Sequence, residues 1–307
     1  MKTLSAFTVL LILSLVLPIS SSSQVSGDGV RLAQNSTGNN ETEEVEEITA
    51  VEEVSPVSLW DSENFPILDR GVNLLTPRTL RKNSFLIVIE HRTRKEANKE
   101  SFDDFLGYDA GGLKIGLGLR YGLLDNLETG IYRLNGTLEA FDVYEYDLKY
   151  SLLKENSRCP GLALRSGVTW YSQKGGEDAS GLFSQLLLGK TVLRRLTLGT
   201  GLLYHSESSN DLKSNLDRNF SVAVPAQLEL RLNSRFALEF ETAANVIGYH
   251  AAHPIITGGL KILTNRHTFS IIISNNQYMS ADGIVANAGR AMNKPIVGFT
   301  ITREINL

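Results

Sequence analysis

The chain has a single cysteine, Cys159, among 307 residues. Neither an intrachain disulfide nor a cysteine-based zinc site is open to it. Beyond its N-terminus it also lacks any run of about 18 or more apolar residues, so no spanning helix is expected there. A cationic surplus is missing too. Residues 1–81 hold 5 Lys and Arg against 11 Asp and Glu, and residues 82–307 hold 25 against 23. The acidity belongs to the first segment, and the remainder has no basic excess of the kind that nucleic acid attracts. With hydrophobic residues at 42%, two classes remain. One is a soluble β-protein; the other is a membrane barrel, whose apolar residues are dispersed by alternation.

What is present begins with a graded N-terminus. Residues 1–23 read as a secretory signal peptide: Lys2 supplies the charge, residues 4–19 an apolar core too short for a span, and residues 20–23 small side chains for cleavage. Residues 24–56 contain no aromatic side chain and are rich in Ser, Asn, Gly and Glu. Such a stretch cannot bury enough apolar surface to offset its ordering entropy, so a disordered acidic linker is expected. At residue 57 the composition changes. Trp60, Phe65, Leu68, Val72, Leu74 and Leu75 follow, interleaved with Asp61, Glu63 and Asp69. Residues 57–81 are therefore expected to be a periplasmic segment docked at the mouth of the domain formed by residues 82–307. Arg70, Arg78 and Arg81 would meet carboxylates there, such as Glu229 or Glu239.

That domain alternates. In Leu113-Lys-Ile-Gly-Leu-Gly-Leu-Arg-Tyr121 every odd position is apolar and every even one is Lys, Gly or Arg. Phe220, Val222, Val224, Ala226, Leu228 and Leu230 form one phase of a second run, and Phe236, Leu238 and Phe240 begin a third. A period of two in an extended chain sends the two sets to opposite faces of a sheet. The pattern predicts an all-β fold: a transmembrane antiparallel up-and-down β-barrel of about 12 strands, behind a disordered N-terminal linker. Strands are expected to start near Ser84, Gly112, Leu127, Phe141, Gly161, Leu182, Leu196, Phe220, Phe236, Ile255, Thr268 and Ile296. The connections alternate between long and short, as in barrels with long outer loops and short periplasmic turns. Residues 276–293 fall in the long set, so a tag near Ala286 is expected to be accessible from outside. Tyr121, Tyr150, Phe236 and Phe269 fall near one interface, and Phe141, Trp170, Tyr204 and Phe220 near the other, as aromatic girdles do. Pro225 cannot donate to a ladder, so a bulge is expected near it.

Several segments resemble a family of uncharacterised bacterial outer-membrane β-barrel proteins, a domain-of-unknown-function family. They are Gly71-Val-Asn-Leu-Leu75, Ile89-Glu-His-Arg92, Leu119-Arg-Tyr-Gly-Leu123, Thr257-Gly-Gly259, His267-Thr-Phe269, Ser274-Asn-Asn276 and Gly298-Phe-Thr-Ile301. The resemblance covers about residues 72–307. It implies the architecture and carries no established activity.

Chemistry is sparse. Gly111-Gly-Leu-Lys-Ile-Gly-Leu-Gly118 has dinucleotide-like glycines but lies inside a strand, without the helix N-terminus that phosphate binding uses. Small lumen-facing residues at Gly112, Gly116 and Gly118, making room for larger side chains opposite, are the better reading. His250 and His253 have a chelating spacing but no close acidic neighbour, so no metal site is assigned. His205, Ser206 and Ser172 supply the residue types of a hydrolase without a recognisable arrangement. No catalytic residue, cofactor or enzymatic activity is expected. The charged phase is the candidate site: Lys114, Arg120, Glu145, Asp147, Lys149, Arg165, Glu229, Arg231, Glu239, Glu241 and Lys261 should face the lumen. Such a set either lines a pore or cancels as cross-strand pairs, and pairing is favoured. The leading functional reading is a narrow outer-membrane channel or small-solute transport barrel. The alternative is a closed structural or interaction barrel acting through its outer loops and N-terminal tail, and an outer-membrane lipid hydrolase is third. The expected partners are outer-membrane lipid, the barrel-assembly machinery and, for a channel, a small solute, with no nucleic acid.

Overall fold

The computed structural model describes residues 70–97, 113–136, 142–172, 178–193, 195–208, 219–248 and 252–306. The expected signal peptide and acidic linker, and residues 57–69 of the expected docking segment, lie outside the described residues, as do Gly112, Phe141 and His250. The described residues form twelve strands and one short helix. The strands are β1 (Ser84–Thr93), β2 (Leu113–Leu124), β3 (Leu127–Leu134), β4 (Asp142–Leu153), β5 (Gly161–Ser172), β6 (Ala179–Val192), β7 (Leu196–Ser208), β8 (Asn219–Arg231), β9 (Phe236–Gly248), β10 (Ile255–Leu263), β11 (His267–Ser274) and β12 (Ile296–Asn306). The helix, α1, is Ala281–Val285.

Each strand pairs antiparallel with its neighbours in sequence, and β1 closes on β12 from Ser84↔Asn306 to Arg92↔Gly298. The result is a closed barrel without a free edge, the β-architecture whose backbone can be satisfied inside a bilayer. Seven strands begin at the residue expected from the alternation. Four differ by one residue, and β6 starts at Ala179, three before Leu182.

Strand β4 shows the logic of the sheet. Val143, Glu145, Asp147 and Lys149 point inward and are buried, while Tyr144, Tyr146 and Leu148 point outward and are exposed. In water this arrangement would be inside out, with charge withdrawn from solvent and apolar surface left in it. It is favourable only where the outer medium is hydrocarbon. Phe220, Val224, Phe240, Ile271 and Ile273 extend the exposed apolar band around the wall.

The connections segregate by rim. Short turns at 125–126, 154–160, 193–195, 232–235 and 264–266 share one rim with residue 84 and residue 306. The longer connections, including 94–112 and 275–295, share the other. Pro225 faces the lumen, and the β7–β8 register runs from Thr200↔Ala226 to Leu203↔Ala223 without partners between. The β8–β9 register shifts nearby, between Val222 and Ala223. The missing N–H is thus placed in a gap of the ladder. Gly116 and Gly118 face inward beneath Tyr132; a Cβ at Gly116 would run into the Tyr132 hydroxyl.

Two segments enter the barrel. From the short-turn rim, residues 70–81 run inside the wall as an irregular strap. From the other rim, the connection between β11 and β12 folds inward and carries α1. This differs from the expectation of an external loop at 276–293: Ala281, Val285, Ala286 and Ala288 are all buried, Ala286 completely. Leu74 at the tip of the strap meets Ala281, Ile284, Val285 and Ala288 in one apolar cluster, completed by Phe183, Leu203, Ala223, Ala243 and Ile255 from the wall. Burying a large apolar side chain contributes about 1.5–3 kcal/mol, which gives this loop a reason to leave water.

Candidate functional site

The site is the occupied lumen. All eleven charged residues expected to face it are buried inside the barrel: Lys114, Arg120, Glu145, Asp147, Lys149, Arg165, Glu229, Arg231, Glu239, Glu241 and Lys261. They are not one array. Period two places them on alternate positions of β2, β4, β5, β8, β9 and β10, and the barrel brings them into separate groups.

The first group lies against β2–β5. Glu128 accepts from Arg120 at 2.7 Å and pairs with Lys149 at 2.9 Å. Asp147 sits between Arg120 and Arg165, at 2.8 Å from each, and Arg165 reaches Glu145 at 3.2 Å. The second group lies against β8–β10. Lys261 bridges Glu229 at 2.9 Å and Glu239 at 2.6 Å; Arg231 is 3.6 Å from Glu229, and Ser270 donates to Glu239 at 2.7 Å. The third is built around Glu90 of β1, which takes Arg70 at 2.8 Å, Arg92 at 3.7 Å and the Tyr132 hydroxyl at 2.7 Å. Lys114 stands apart near the long-loop rim, where its ammonium donates to the Asn135 carbonyl and lies over the Tyr278 ring.

The groups do more than cancel one another. Irregular backbone buried in a barrel must find partners for its own polar groups, and the wall supplies them to the strap. Glu241 accepts the backbone N–H of Asn73 at 2.9 Å and of Leu74 at 3.2 Å, as well as the Asn73 amide at 3.1 Å. Glu128 accepts the Leu80 N–H at 2.7 Å. Lys149 donates to the Thr76 carbonyl, Gln227 to the Leu75 carbonyl and Lys261 to the Arg70 carbonyl. At the tip, Arg70 and Leu75 form a bridge, which makes 70–75 a tight return. Gly71 passes so close to the wall that a Cβ there would collide with the Glu241 carboxylate.

Helix α1 is received in the same way at its start and differently along its length. Ser280 caps it, and the N–H of Ala281 donates to Glu145 at 2.5 Å. Past its end the fastening is by amides. Asn287, at φ 70°, accepts the Asn245 N–H, and the Asn245 side chain donates to the Val285 carbonyl. His253 and Ala288 exchange backbone hydrogen bonds. Ser274, Asn275 and Asn276 turn the chain inward: Ser274 Oγ meets Thr257 Oγ1 at 2.7 Å, Asn275 accepts the Ile256 N–H, and Asn276 binds its own chain at Tyr278.

Beside the strap two cavities remain, of about 30 and 40 Å³. Arg70, Gly71, Gln227, Glu229 and Glu241 are among the residues lining the first; Asn73, Arg120, Glu145, Arg165 and Ile284 are among those lining the second. One water needs roughly 10–15 Å³ of such space, so each holds a few waters at most.

The strap's arginines find other partners than those expected. Arg70 pairs with Glu90, Arg78 with Glu155 at 3.0 Å, and Arg81 is exposed. Sequence reasoning missed Glu90, Arg92, Glu128 and Tyr132. The inward phase of β1 opens with Leu86 and Val88, which pack on Leu80, so its charged half was hidden behind an apolar start. Among the histidines, His205 is buried in the lumen, within 3.0 Å of Thr169 and stacked on Phe183. His91 packs outside on Phe299. Ser206 Oγ accepts the Leu182 N–H. Among the described residues, no three His, Cys, Asp or Glu side chains are grouped to hold a metal ion.

No curated protein matches the chain. Among solved structures, the NanC porin is 13% identical over 73% of this chain and 100% of its own, with a TM-score of 0.45. The translocator domain of the autotransporter NalP from Neisseria meningitidis is 13% identical over 74% of this chain and 90% of its own, with a TM-score of 0.39. LpxR from Salmonella typhimurium is 8% identical over 73% and 100%, with a TM-score of 0.35. A family model described as "Membrane bound beta barrel domain (DUF5777)" matches residues 69–305, a span that takes in the strap as well as all twelve strands. The chain belongs to this family of membrane-bound β-barrel domains.

Proposed function

We propose that the protein is a bacterial outer-membrane barrel that is sealed at rest and acts through the surfaces at its two mouths. The observation that carries this reading is the capture of inserted backbone by wall carboxylates. Glu241, Glu128 and Glu145 each end on an N–H of the strap or of α1. A wall built to line an open aqueous path would leave such groups to water. The short-turn rim, from which the strap enters, is the periplasmic one by the usual segregation of turn and loop lengths. Insertion through the barrel-assembly machinery and residence among outer-membrane lipids follow from that placement. The reading assigns no catalytic step.

A second reading, a narrow solute channel opened by withdrawal of the strap, is favoured by the polarity of the wall behind it. Removing residues 70–81 would leave Glu241, Glu128, Lys149 and Lys261 facing a water-filled bore. Planar-bilayer recordings of the purified protein separate the two. The sealed barrel gives no discrete conductance under any applied voltage within the bilayer's tolerance. Regular unitary openings of the unmodified protein would favour the channel.

A further inference from the structure

By sequence, the short connections and the longer ones differ in charge. In the segment 76–83 and the short turns, Lys and Arg number nine against two acidic residues; in the six longer connections they number eight against eleven. On the short-turn rim, Arg78 and Glu155 neutralise one another. Lys82, Lys154, Arg158, Arg195, Arg235 and Arg266 are exposed, and none forms an ion pair with a described residue. They are spread over all but one of the short connections, so they ring the barrel.

A second feature accompanies them. Leucines stand exposed immediately beside these cations: Leu152 and Leu153 before Lys154, Leu193 two residues before Arg195, and Leu232 three before Arg235. Leu193 is 88% exposed, and its positive φ of 53° turns it out of the strand direction. Leu123 and Leu124 hold the same place at the end of β2. A merely solvated basic rim has no use for a collar of exposed leucines. A cation ring directly above an apolar collar matches the boundary of a bilayer leaflet, where phosphates lie above acyl chains.

We propose that this rim is a binding surface for anionic phospholipid headgroups. The Lys and Arg side chains take the phosphates, and the leucines below them seat in the acyl region. Each cation held near an anionic membrane surface raises association on the order of fivefold, and several act together. The inference rests on the chain spanning a membrane and not on whether its lumen conducts. The rival occupant of a basic ring, an acidic protein partner, would not need the leucines.

The test uses the full chain refolded into phosphatidylcholine vesicles holding traces of spin-labelled phosphatidylglycerol or spin-labelled phosphatidylcholine. The motionally restricted fraction of each label reports its association with the barrel. Phosphatidylglycerol should be favoured several-fold, and the preference should fall steeply as salt is raised. In a combined Lys154→Gln, Arg158→Gln, Arg235→Gln, Arg266→Gln variant, which keeps Lys82 and Arg195, most of the preference should be lost, whereas Lys294→Gln on the opposite rim should leave it unchanged. Heat-modifiable gel mobility shows whether the variant is folded; should it not fold, the four single substitutions and the salt series on the unmodified chain decide the matter. Equal association of the two labels with the unmodified protein would overturn the proposal. So would a preference indifferent to salt and to every rim substitution.

Discussion

Residues 70–81 enter the lumen as irregular backbone and are held by charged wall side chains. Residues 281–288 enter from the opposite mouth as a capped helical turn and are held mainly by apolar packing. Beyond the tight return at 70–75, the strap belongs to no strand or helix, and the wall provides ionic groups at matched positions: Glu241 for Asn73 and Leu74, Glu128 for Leu80, Lys149 for Thr76. The helix satisfies part of its own backbone, with Ile284 N–H on the Ser280 carbonyl and Ala286 N–H on the Asp282 carbonyl, and Ser280 caps its start. It takes from the wall one carboxylate, Glu145, the Asn245 amide at the Val285 carbonyl, and a set of small and branched apolar side chains. The difference explains why a lumen filled by the strap keeps so many charges inside. Buried ion pairs offer little net stability by themselves, because desolvation cancels most of their attraction. Here they fix the course of a segment that has no regular structure to fix it.

This contrast can be broken at either end. The largest effect is expected at Glu128, whose loss takes a carboxylate partner from Lys149 and from Arg120 and leaves the Leu80 N–H without its acceptor. Glu128→Ala should lower refolding stability in lipid by about 3–5 kcal/mol, read by urea titration. A loss below about 1 kcal/mol would mean that water replaces the carboxylate freely. At the other end, Ile284→Ala removes apolar volume from the cluster around α1. A cost of about 2–4 kcal/mol is expected. Proteolysis of the 275–295 connection should quicken in that variant while the region around Leu80 stays protected; equal loosening of both would show one cooperative filling instead of two.

Much of this was legible in the sequence, and the reason is geometric. Alternation is a local property, so the inward phase could be read from β2, β4, β8 and β9 without knowing their neighbours. The same rule failed where one face was mixed. In β1 the inward side passes from Leu86 and Val88 to Glu90 and Arg92, because Leu80 covers its first half. Glu128 lies one residue into β3, beside a turn, where alternation has barely begun. The filling itself was less visible. A composition change announced that residues near 72–75 pack on something, but their place deep in the lumen depends on Glu241, distant by more than 160 positions. The inward fold of 275–295 had one sign. The run from Ala281 to Ala288 has a single charge, Asp282, unusual for a loop in water. A helix of five residues is too short to show a period.

The smallest effect is expected outside the lumen. Arg133 and Asp142 pair at 3.0 Å on the exposed face, with side-chain exposures of 48% and 30%. Exposed pairs contribute about 0–1 kcal/mol. Arg133→Ala should therefore change refolding stability by less than about 1 kcal/mol, well below Glu128→Ala. A loss as large as that of Glu128→Ala would erase the distinction between lumen and exterior on which the contrast rests.

The measurement that bears most directly on the strap is amide hydrogen exchange at Asn73, Leu74 and Leu80 in the folded, membrane-inserted protein. If wall carboxylates hold these N–H groups, they exchange as slowly as amides inside β1 and β9, although they belong to no strand. Glu128→Ala should then release Leu80 while leaving Asn73 and Leu74 protected. Exchange of all three at the rate of an unstructured peptide, in the unmodified protein, would contradict a lumen sealed by the strap.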